Sequence, residues 1–103
     1  MLGRGRFADL ISRQLDLFVR DNLDLLEACD AAELAYDRAE RDGAAELFGD
    51  YQELVEDGTE ILAGLRDNFA STLDESSAEE YESAFNRAVV KRLPRFGLEI
   101  QDT

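Results

Sequence analysis

The sequence predicts an all-α protein: an antiparallel helical bundle built from a long helical hairpin plus a shorter third helix. Three observations carry this. Ala, Leu, Glu, Asp and Arg dominate a 103-residue chain with one Pro and no Trp, so helix breakers are scarce. Apolar or small residues recur at helical spacing over more than thirty residues, from Phe7 to Arg41. Turn signals then fall at two places only, Asp42-Gly43 and the stretch from Thr72 to Ser77. At 103 residues the chain is one domain, 1–103, of a size that buries a modest core.

Residues 1–6, with Arg4, Arg6 and two glycines, read as a short flexible basic arm. The first helix is predicted over about 7–41. Its seam is Ile11, Leu15, Phe18, Asn22, Leu25, Cys29, Ala32, Tyr36 and Ala39, with steps of four and three throughout. That is the period of a helix packed along its length against another. The apolar face is broad up to Leu26 and narrows to small residues from Ala28 to Ala39. Asn22 is the polar member of the seam. It either fixes register and partner choice, lies at a partly exposed helix position, or contacts a ligand.

Gly43 is expected as the left-handed cap of this helix, because the seam register beyond it lands on Glu46 and Asp50. A second helix follows over about 44–72, with Phe48, Tyr51, Val55, Gly58, Leu62, Leu65 and Phe69 in its seam. Gly58 lies near mid-helix, where glycine costs about 1 kcal/mol relative to Ala. Close approach by a neighbouring helix backbone is the expected reason. Ser77 and Glu80 have capping-box spacing, and a third helix is predicted over about 78–92, stopped by Pro94. In the tail, 95–103, Phe96, Leu98 and Ile100 alternate, which predicts an extended segment that either folds back over its own bundle, the favoured reading, or docks on another protein.

The net charge is −13 and its placement is uneven. Residues 21–86 hold twenty acids against Arg38, Arg41 and Arg66, whereas Arg4, Arg6, Arg87, Lys91, Arg92 and Arg95 lie towards the ends. A field of this sign repels nucleic-acid phosphates and anionic membranes, so neither is an expected partner. No apolar run approaches the ~20 residues that span a bilayer, and the N-terminal residues lack a secretory apolar stretch. A cytoplasmic protein is the expectation.

The chain has no His, which removes the commonest general base and metal ligand. No catalytic residue and no cofactor is indicated. Cys29 is the lone cysteine and reads as a small buried hydrophobe. Two carboxylate pairs, Glu53 with Glu56 and Glu79 with Glu82, have Glu-x-x-Glu spacing. They are weakly similar to the magnesium-binding pairs of MazG-type nucleotide pyrophosphohydrolases. The second pair ends in Glu where that family has Asp. The resemblance implies an all-carboxylate magnesium site and a hydrolase as the alternative function. The favoured reading of these acids is solvated helix faces.

Folding geometry sets the remaining expectation. The third helix is about half the length of the hairpin and should cover only the first half of helix 1. The other end is left two helices thick. A homodimer in which two hairpins complete a four-helix bundle would bury it. The candidate interface residues are Cys29, Ala32, Leu34, Tyr36, Leu47 and Phe48. The expected function is a non-enzymatic protein–protein interaction or regulatory module, with an acidic DNA-mimicking body as a subtype.

Overall fold

The computed structural model describes residues 5–103. The chain runs through α1 (Ala8–Asp21), α2 (Leu23–Asp37), α3 (Arg41–Ala70), α4 (Glu75–Arg92), a 3-10 turn (Pro94–Phe96) and α5 (Gly97–Asp102). These pack as a helical bundle, and the molecule measures 50 × 23 × 23 Å. Of the basic arm, residues 1–4 lie outside the described residues. Gly5 and Arg6 lead directly into Phe7, which is buried against Phe69 and Tyr81 at ring-centroid distances of 6.4 and 5.4 Å. Arg6 donates to Ser77 Oγ at 2.7 Å, so the described part of the arm is tied to the start of α4.

The long first helix is a correction. It is two helices, broken at Asn22, whose φ of −126° and ψ of 32° leave the helical region. The Asn22 side-chain amide donates to the Phe18 carbonyl at 2.9 Å, beside the Asn22 backbone N–H at 3.0 Å. A short polar side chain that bonds nearby backbone offers the chain an alternative to continuing the helix. The break changes the neighbour. Before it, α1 packs on α4; after it, α2 packs on α3. Asn22 is therefore a partly exposed joint rather than a buried register pin.

The first turn also moves. Arg38 to Glu40 make the reversal, and α3 starts at Arg41 behind the extended residue Glu40. Gly43 lies inside the first turn of α3 with open space around it, so it is not a left-handed cap. The buried face of α3 runs through Val55, Gly58, Thr59, Leu62, Ala63, Arg66 and Ala70. It is rotated from the expected seam, which leaves Leu65 and Ile61 partly in water. The third helix begins three residues earlier than expected because Asp74 is the cap. Its carboxylate accepts from the Ser77 N–H at 2.9 Å and the Ser77 hydroxyl at 3.1 Å.

The tail is the largest correction. It is helical, with Phe96 and Ile100 buried and Leu98 82% exposed. The spacing of four between Phe96 and Ile100 fits a helix, and the alternation through Leu98 was coincidental. The tail does fold back. Its helix α5 lies on α3 and α4, and Phe96 meets Phe18 edge-on at 5.9 Å. A Cβ at Gly58 would stand 2.4 Å from the Phe96 ring, so Gly58 makes room for an aromatic ring rather than for a helix backbone.

One end of the bundle thus holds α1, α3, α4 and α5 around Leu15, Phe18, Leu62, Tyr81, Phe85, Val89, Phe96 and Ile100. Tyr81 is fully buried and its hydroxyl donates to Gln14 Oε1 at 2.8 Å. The other end is formed by α2 and α3.

Candidate functional site

Arg95 marks where the third layer stops. It lies in the 3-10 turn that follows α4 and reaches across to the hairpin. It donates to Asp30 Oδ1 at 2.9 Å, Glu33 Oε1 at 2.8 Å and the Tyr51 hydroxyl at 3.2 Å. Burial would lower the Arg95 pKa, but the bonds to Asp30, Tyr51 and Glu33 outweigh it and hold the guanidinium above its usual value. Beneath this cluster Cys29 is fully buried. Burial pushes its thiol up, while Arg95 pulls the other way. Cys29 thus packs as the hydrophobe its sequence position suggests and has no exposed surface for a partner.

Beyond Arg95, towards the turn, α2 and α3 have only each other among the described elements. Leu34 is 49% exposed, Phe48 43% and Tyr36 37%. The Tyr36 and Phe48 rings lie 5.3 Å apart, tilted across the two helices. Ala32 and Leu47 are half-buried between them. Of the six candidate interface residues, the structure therefore groups five at the tip and sinks Cys29 below it.

The four glutamates of the alternative function do not converge. Arg66 of α3 bonds Asn86 of α4, and Gly58 of α3 meets Phe96, so the two antiparallel strands of chain are in register at those levels. Glu82 and Glu79 then sit level with the C-terminal end of α3. Glu56 and Glu53 lie level with the 3-10 turn. At ~1.5 Å per residue the pairs are roughly 20 Å apart along α3. No group of three or more Asp, Glu, Cys or His among the described residues could hold a metal ion. No helix among them is long and apolar enough to cross a membrane.

Arg66 is the residue that sequence reasoning passed over. It is 5% exposed and donates to Asn86 Oδ1 at 3.0 Å, to the Ile100 carbonyl at 3.1 Å and to the Thr103 carbonyl at 3.1 Å. A cation there satisfies the last carbonyls of α5 and complements its dipole. The signal was its position: Leu62, Arg66 and Ala70 step by four along the apolar face. Arg87, Lys91 and Arg95 likewise step by four, yet Arg95 turns to the hairpin while Arg87 and Lys91 stay on α4 facing outward. No family model matches the chain, and no curated protein or solved structure matches it.

Proposed function

We propose that this chain is a non-enzymatic protein–protein interaction or regulatory module that acts as a homodimer, joined through the α2–α3 tip. The observation that carries the reading is the exposed trio Leu34, Tyr36 and Phe48, on the stretch of hairpin that no third element covers among the described residues. Fully burying a large apolar side chain is worth about 1.5–3 kcal/mol, so each half-exposed member offers about 1 kcal/mol. Six such side chains across a two-fold interface give about 6 kcal/mol before the cost of association. The dimer is therefore weak. Each copy carries −13, so the two repel, and added salt should tighten the dimer by screening.

Sedimentation equilibrium from about 1 μM to about 1 mM tests this across the relevant affinity range. A monomer–dimer equilibrium that strengthens with salt, and that Leu34→Glu or Phe48→Glu abolishes, is the expected result. A monomer throughout would refute the dimer. The alternative, a magnesium-dependent nucleotide hydrolase on Glu53, Glu56, Glu79 and Glu82, has the ~20 Å separation of its two pairs against it.

A further inference from the structure

A second surface lies on the far side of the bundle, between α1 and α4. It is an open groove of about 630 Å³. Ile11 and Leu15 form its floor and are 3% and 1% exposed. Ala8, Ala84 and Ala88 line its walls. Side chains this small allow a third helix to approach α1 and α4 closely. Packed on α3 and α4, α5 leaves this face open.

The groove has a charged edge. Arg87, Lys91 and Arg92 line it along α4. Arg92 is committed to its own chain, paired with Asp16 and bonded to the Ser12 carbonyl at 3.2 Å. Arg87 bonds only Ser83, at 3.1 Å, and Lys91 has no ion pair among the described residues. The lining of the groove holds these three cations and no acid, on a molecule with twenty-four acids.

We propose that this groove docks an amphipathic helix of another protein, with its apolar stripe on Ala8, Ala84 and Ala88 and carboxylates along the flank that meets Arg87 and Lys91. Charge complementarity selects that chemistry. A polyanion such as nucleic acid or an anionic membrane extends well past the ~10 Å over which charges are felt, and so meets the acidic body. A short helix with a few Glu or Asp on one flank feels chiefly the cations beside it. The groove runs along Ala8–Leu15 of α1, or ~12 Å, so it contacts about two turns of a partner helix, and a peptide of about 14 residues supplies them with a turn to spare. This surface is separate from the α2–α3 tip.

The test uses two synthetic helical peptides of about 14 residues, followed by fluorescence anisotropy. One carries a Leu and Ala stripe with Glu on its flanks; its twin has Lys in place of every Glu. The Glu peptide should bind the full chain, and more weakly as salt rises, opposite to the dimer. The variant Arg87→Glu/Lys91→Glu alters two exposed side chains, and circular dichroism confirms its fold. It should weaken the Glu peptide about tenfold and make the Lys twin the better ligand. Equal binding of the twins, indifference to the double substitution, or no binding of the Glu peptide at about 1 mM would overturn the proposal. So would loss of the homodimer in Arg87→Glu/Lys91→Glu, because the groove would then be a contact between copies. Leu34→Glu should disperse the dimer and leave peptide binding intact.

Discussion

Replacing Gly58 with Ala should destabilise the protein, although Ala is the better helix former. The added Cβ would lie 2.4 Å from Phe96 Cε1 and 2.8 Å from Cζ. A comfortable carbon–carbon contact is ~3.5 Å, so the ring must retreat by about 1.1 Å. It has little room to do so. Phe96 is 1% exposed, and Phe18 stands edge-on behind it at 5.9 Å. Overpacking of this kind costs about 1–3 kcal/mol, against a propensity gain of about 1 kcal/mol. The net expectation is a loss of about 1 kcal/mol, or a fall of about 4–8 °C in Tm for a domain this size. Gly64 supplies the control. It is an exposed glycine of the same helix with nothing within 4 Å of its Cβ position. Gly64→Ala should therefore raise stability by about 0.5–1 kcal/mol. Thermal and urea unfolding followed by circular dichroism read both. In a Phe96→Ala background the clash is gone, and Gly58→Ala should become stabilising. If Gly58→Ala raises Tm alongside Gly64→Ala in the wild-type background, the packing of Phe96 on α3 is wrong.

Arg66→Leu removes the bonds to Asn86, Ile100 and Thr103, of which the one to the Ile100 carbonyl is buried, for a loss of about 1–3 kcal/mol in chemical denaturation. Arg66→Lys should recover only part of it, because an ammonium cannot reach in several fixed directions at once. Truncation after Leu93 should lower Tm steeply, since it strips Phe96 and Ile100 from the core; an unchanged Tm would mean that the tail does not pack there. Stability should fall in alkali. Burial raises the Cys29 thiol and the Tyr81 phenol in the folded chain. Their contribution is whole below the unfolded values of about 8.5 and 10, and it is lost as pH climbs towards the higher folded values. Asp74 acts in the opposite direction. Its bonds from Ser77 lower its pKa, so the ionised cap helps above about pH 4 and that help disappears as pH falls; Asp74→Ala should flatten this part of the acid unfolding curve.

Much of the architecture was legible because it rests on one periodicity. Ile11, Leu15 and Phe18, then Tyr81, Phe85 and Val89, are stripes of three and four, and all six are buried. The exposure of Leu34 and Phe48 followed from length alone, since a short α4 cannot cover a 30-residue α3. What misled was local. Asn22 sits in perfect heptad register, yet its side chain bonds Phe18 and the helix stops there. Phe96, Leu98 and Ile100 satisfy two periods at once, and a nine-residue tail is too short to separate them. Asp74 and Ser77 both suit a cap, and only the geometry chooses Asp74.

The sequence by itself determined an all-helical, acidic chain, its three long apolar faces and the imbalance between a covered and an uncovered end. These depend on residue type and spacing, which any helix must obey. Tertiary structure alone decided where α1 hands over to α2, how Arg66 closes the C-terminal helix, and why Gly58 faces an aromatic ring. It also created the α1–α4 groove and left Arg87 and Lys91 beside it without an ion pair among the described residues. Each of these depends on residues brought together from distant parts of the chain, and a one-dimensional pattern carries no record of which faces will meet.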